Sequence, residues 1–130
     1  MKFIQTYDNF EIARFTDLPV AAVGGLASVK IGHNGCVYVA YHGGTCLNSI
    51  YFIRLPEDFP NTLQADWDTP VEIVADTVQL QSPGLAATPD NVLFVSYTEH
   101  DYVADTDDLY IYKSVNEGQD WTFVSNTQII

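Results

Sequence analysis

The feature that most constrains this chain is an internal repeat. LASVKIGHNGCVYVAY (26–41) is matched by LAATPDNVLFVSY (85–97) once the shorter turn of the second copy is allowed for. Beyond a variable loop, SIYFIR (49–54) matches DLYIYK (108–113), and Trp67 then matches Trp121. A repeat of this kind marks one supersecondary unit that cannot bury its own faces and must stack on a neighbour. The period within the unit is two. Cys36-Val37-Tyr38-Val39-Ala40-Tyr41, Ile50-Tyr51-Phe52-Ile53, Val92-Leu93-Phe94-Val95-Ser96-Tyr97 and Leu109-Tyr110-Ile111-Tyr112 are short runs of β-branched and aromatic residues. Such runs read as strands. Turn signals separate them at Gly32-His33-Asn34-Gly35, His42-Gly43-Gly44, Pro89-Asp90-Asn91 and Asn116-Glu117-Gly118. No segment offers an amphipathic helix, so the fold class is all-β.

Each unit contains four predicted strands, A to D. They fall near 26–31, 36–42, 49–55 and 67–75, and again near 84–88, 92–98, 108–113 and 121–127. FEIARF (10–15) is similar to VEIVAD (71–76), so 10–15 reads as a strand D, with 2–7 as its strand C. The chain divides into N-terminal strands (1–15), a first unit (16–76) and a second unit (77–130): two full units plus an N-terminal half. Strand B is apolar on both faces, with Val37, Val39 and Tyr41 on one and Tyr38 and Ala40 on the other. Four-stranded antiparallel sheets that are apolar on both sides stack as propeller blades do.

Residues Ser114-Val115-Asn116-Glu117-Gly118-Gln119-Asp120-Trp121 place Ser, Asn, Gly and Trp at fixed intervals between strands C and D. Asn116 is suited to an Asx turn, Gly118 to a positive φ, and Trp121 to packing under the turn. This octapeptide resembles the Asp-box, or BNR repeat, of sialidase-like β-propellers. The resemblance implies a fold rather than an activity: in that family the Asp-box is a structural turn on the side opposite the ligand face. The first unit departs from the motif, because 55–67 lacks the Ser-x-Asp-x-Gly spacing.

Sialidase chemistry takes three arginines on the substrate carboxylate, a Tyr–Glu pair and an acid, and this chain offers only Arg14 and Arg54. Arg54, at the end of a strand C, reads as a solvated base. Asp58, Asp66 and Asp68 flank a C–D loop on the wrong side for a glycosidase carboxylate pair. The expectation is therefore no catalytic residues and a non-catalytic, self-assembling module, with a fragment of a sialidase-like glycoside hydrolase as the alternative. The B–C loops would lie on the ligand face and present His42, Thr45, His100, Asp101 and Tyr102, types that suit a glycan. Acids crowd one predicted B–C loop: Glu99, Asp101, Asp105, Asp107 and Asp108. Of these, Asp101, Asp105, Asp107 and Asp108 are candidate calcium ligands, since hard cations take oxygen donors. No other cofactor is expected.

Seventeen acids against five bases, a formal charge of −12, exclude nucleic acid as a partner. No run is long and apolar enough for a membrane helix, and the N-terminus lacks the apolar core of a secretory signal. The setting expected is nonetheless extracellular, cell-surface or virion. Cys36 opens strand B and Cys46 lies at the end of the B–C loop, so Cys36 would face the far end of strand C; the two are expected as free thiols, with an intermolecular Cys46 bridge as the alternative. Two and a half blades leave apolar faces bare, so the expected partner is a second copy of the chain, in a ring or a filament. In that arrangement, residues 2–15 of one subunit would add to the next.

Overall fold

The computed structural model describes the side chains of residues 26–44, 46–56 and 67–129, together with the backbone of two N-terminal strands. All regular structure among the described residues is β. β1 (Lys2–Tyr7) and β2 (Ile12–Asp17) form a two-stranded antiparallel sheet. β3 (Ala27–Ile31), β4 (Val37–Gly43), β5 (Ser49–Leu55) and β6 (Val71–Ala75) form a four-stranded antiparallel meander. β7 (Leu80–Ala87), β8 (Leu93–Asp101), β9 (Thr106–Ser114) and β10 (Thr122–Gln128) form a second one. The repeat in the sequence is thus a repeat of sheets.

Three boundaries differ from the sequence expectation, each for a local reason. Strand D of the first unit starts at Val71 rather than Trp67. Pro70 has no amide hydrogen to give to a ladder, and Asp68 N–H instead donates to the Arg54 carbonyl at 2.8 Å. β7 starts early, at Leu80, because a register shift between Gln81 and Gly84 absorbs Ser82 (φ 50°) and Pro83. Finally, the acidic B–C loop is mostly strand: β8 and β9 pair out to Asp101 and Thr106, leaving a turn of Tyr102–Asp105.

The two four-stranded sheets pack face to face, with β7 against β3 and β4. Alternation along β4 and β5 sends Tyr38, Ala40, Ile50 and Phe52 to the second sheet. There they meet Leu80, Leu93, Val95 and Tyr97, all buried, flanked by Tyr110, Tyr112 and Trp121. On β4 and β5 the opposite face is buried as well, through Val37, Val39, Tyr41, Ile53 and Leu55 with Trp67 against them, whereas β3 at the edge is mostly exposed. That double burial explains why β4 and β5 read as nearly continuous apolar runs. Each large side chain so buried contributes about 1.5–3 kcal/mol. The second sheet is asymmetric. Along β8 the inward Leu93, Val95 and Tyr97 are buried and the outward Phe94 and Ser96 half-buried, while β9 is half-buried on both faces and all of β10 is exposed.

Candidate functional site

A cleft lies between the sheets, where the β5–β6 connection meets the β9–β10 turn. Its volume is about 290 Å³, and it is lined by Phe52, Arg54, Asp68, Val71, Glu117 and Gly118 among others. Arg54 Nε donates to Asp68 Oδ2 at 2.7 Å, and its Nη1 donates to Glu117 Oε2. Glu117 Oε1 also accepts from Asn34 Nδ2 at 2.8 Å. Glu117 therefore ties the turn of the second sheet to two points on the first. Burial works against the charge of Arg54, but the hydrogen bond and charge of Asp68, aided by Glu117, outweigh it and hold the guanidinium above its ordinary value. The side chain of Arg54 is only 18% exposed. It is not the solvated base expected from sequence but the centre of an inter-sheet clasp. Strand alternation offered a signal, since Arg54 shares a face with Ile50 and Phe52. Asn34 and Glu117 carried none, because both stand in turns whose neighbours are set by the stacking of the sheets.

The β9–β10 turn closes on itself before it meets the first sheet. Ser114 Oγ accepts from Gly118 N–H at 2.8 Å and donates to Asn116 Oδ1 at 3.0 Å. Asn116 Oδ1 accepts from Asp120 N–H at 2.9 Å, and Trp121 Nε1 donates to the Gly118 carbonyl at 2.9 Å. Gly118 has φ 88°, and a β-carbon there would stand 2.0 Å from Phe52 Cε1. Trp121 meets Phe52 edge-on, with ring centroids 5.2 Å apart.

The residues expected on a ligand face are not gathered into one site. His42 is 4% exposed, and its Nδ1 accepts from Leu26 N–H at 3.2 Å. Burial lowers its pKa, so the ring is a neutral interior acceptor. Thr45 lies outside the described residues, as do Asp58 and Asp66. His100 sits on the outer face of the second sheet, beyond that sheet from His42. Its Nδ1 is 2.9 Å from Asp107 Oδ1, its Nε2 is 3.8 Å from Asp105 Oδ1, and its ring meets Tyr102 edge-on at 4.3 Å. Tyr102 is 72% exposed, and Val103 at the hairpin tip is 97% exposed.

The candidate calcium ligands diverge. Asp101 Oδ1 accepts from Val103 and Ala104 N–H groups at 2.8 and 3.1 Å, bonds that hold its carboxyl below the usual range. Asp105 and Asp107 flank His100. Asp108 follows Asp107 in the same strand, points to the other face and pairs across the sheet with Glu99. Among the described residues no three His, Cys, Asp or Glu side chains converge as a metal site. Glu99 lies in an acidic surround, and burial together with Asp76, Asp108 and Asp101 pushes its carboxyl up. Both cysteines are free, with Cys36 buried and Cys46 exposed.

No family model, curated protein or solved structure matches the chain.

Proposed function

We propose that this chain is a non-catalytic, self-associating module built from sialidase-like propeller blades. It would form a ring or filament such as a surface fibre, a virus particle component or a lectin-like assembly. One observation carries the reading: β4 and β5, the central strands of the first sheet, are largely buried on both faces, whereas β8, the matching strand of the second, is buried on its inner face and leaves Phe94 half-open on the other. A repeat that stacks on one side only has an unused stacking face. The glycosidase alternative is disfavoured by Arg54, whose charge is already taken by Asp68 and Glu117 and is not free for a substrate carboxylate. Light scattering on the purified full chain tests the proposal. An oligomer at micromolar concentration is expected, and a stable monomer refutes it.

A second reading, that the module also binds a glycan, is favoured by the β8–β9 hairpin. There the exposed Tyr102 ring stands against His100 with Asp105 and Asp107 alongside, an apolar surface with acceptors beside it. Screening the protein on a glycan array, with Tyr102→Ala beside it, tests this. Binding that the substitution abolishes supports it, and no binding, or binding unchanged by the substitution, refutes it.

A further inference from the structure

The strands at the sheet margins differ in how their open backbone edges are guarded. A bare edge offers unpaired N–H and C=O groups to any extended chain, and a charged side chain or a proline on the strand discourages that pairing. β1 carries Lys2, β2 Arg14, β3 Lys30 and β6 Glu72, while β7 carries Pro83 and packs against β3 and β4. β10 carries none of these guards. It reads Thr-Phe-Val-Ser-Asn-Thr-Gln, and every residue of it is exposed. Among the described strands it pairs only with β9. The edge belongs to its place in the unit, since β6, the matching strand of the first unit, is an edge too although the chain runs on past it.

Pairing with β9 fixes which backbone groups of β10 stay open. A register shift between Phe123 and Ser125 interrupts the ladder near its start, and from Ser125 to Gln128 it runs regularly against Ile111 to Asp108. Ile129 N–H continues it, donating to the Asp107 carbonyl at 2.6 Å. Along an antiparallel strand, residues turn their N–H and C=O groups alternately to one neighbour and the other. With Ile129 turned to β9, Thr127 and Ser125 are turned the same way, and the backbone groups of Asn126 and Gln128 point outward. The open edge therefore presents two residues ready to pair, placed symmetrically about Thr127.

We propose that the β10 edge pairs with the same edge of a second copy, antiparallel about a two-fold axis at Thr127. Asn126 of each copy then exchanges hydrogen bonds with Gln128 of the other, and the two Thr127 side chains stand opposite each other, a favourable cross-strand pair. Charge points to this occupant. In a chain of net charge −12, two copies approach most easily where neither carries charge, and residues 121–129 carry none. Asp107 and Asp108 lie one strand in. The β9 strands of the two copies stand three strand spacings apart, about 14 Å, beyond the screening length of about 8 Å at physiological salt. The contact is isologous and closes at two copies, so a ring or filament is built from such pairs through the stacking face of the second sheet.

This rests on the self-association proposed above, and the test separates the two. Thr127→Lys and Thr127→Glu, each in the whole chain, are compared with the unaltered protein by analytical ultracentrifugation, singly and as an equimolar mixture, with circular dichroism to verify folding. Each variant alone sets like charges opposite each other across the axis and should weaken association at least tenfold, and the mixture should regain it. Thr127→Lys also makes the chain less negative, so an association limited by overall repulsion would strengthen instead. Should either variant fail to fold, Thr127→Cys in a Cys46→Ser background decides, with Cys36 buried as the one other thiol. Opposed residues at a position without hydrogen bonds have Cα atoms about 4.5 Å apart, within the ~4.4–6.8 Å that a disulfide spans, so mild oxidation should link the copies. An unaltered chain that associates, with single variants that associate equally well, a mixture that fails to recover or a cysteine variant that does not cross-link, overturns this edge contact and leaves self-association standing. A monomeric unaltered chain overturns both.

Discussion

Gly118 is the point at which the β9–β10 turn and the sheet stacking depend on the same atom that is not there. Replacing it with alanine adds one β-carbon and imposes two separate costs. The backbone at φ 88° lies in the left-handed region, which costs an L-residue about 1–2 kcal/mol. The new carbon would also fall 2.0 Å from Phe52 Cε1 and 2.5 Å from Cδ1 and Cζ. Phe52 is buried and held between Tyr38 and Trp121, with centroids at 5.9 and 5.2 Å, so its ring cannot turn aside freely. Forcing a methyl into a filled site costs about 1–3 kcal/mol more. The sum, roughly 2–5 kcal/mol, is a large part of the 5–15 kcal/mol that holds a domain together. Urea unfolding followed by tryptophan fluorescence should show Gly118→Ala losing at least about 1 M in midpoint. In a Phe52→Ala background the steric part disappears, so Gly118→Ala should cost about 1–3 kcal/mol less there. A shift below about 0.5 kcal/mol in the otherwise unaltered chain, or the same cost in both backgrounds, would refute the reasoning.

Arg54→Met should destabilise by about 1–3 kcal/mol, because it leaves Asp68 and Glu117 facing each other in the cleft. Adding Glu117→Gln should recover part of that loss, and strictly additive effects in a double-mutant cycle would argue against the clasp. Glu99 has its pKa raised in the fold above 4.5, so the folded state holds that proton more tightly than the unfolded chain. Its contribution is therefore complete below pH 4.5 and is lost as pH rises through the folded value. Glu99→Gln should melt higher than the unaltered protein at neutral pH, with the gain vanishing in acid; a lower melting temperature at neutral pH would contradict this. Chelator should leave the melting temperature unchanged, since Asp107 and Asp108 point to opposite faces and Asp101 is taken up in its own turn. A rise of several degrees on adding millimolar calcium would show a site that this geometry does not contain.

The strands, their antiparallel order and the double burial of β4 and β5 were legible in the sequence, because a side-chain period of two and a repeated pattern of apolar runs are local properties of the chain. The β9–β10 turn was legible for the same reason: Ser114, Asn116, Gly118 and Trp121 satisfy one another within eight residues. Partnerships across the sheets were not. Arg54 reads as a base at a strand end until the second sheet brings Glu117 to it from 63 positions away. His42 reads as a loop residue until the stacking buries it and gives Leu26 N–H a neutral acceptor. The acids of 99–108 read as one cluster because they are adjacent in sequence, and extension of β8 and β9 into that stretch divides them between two faces. Sequence determines which residues can share a face; which face meets which is decided by how one sheet lies on the next, and charges and buried polar groups take their roles only once that contact has formed.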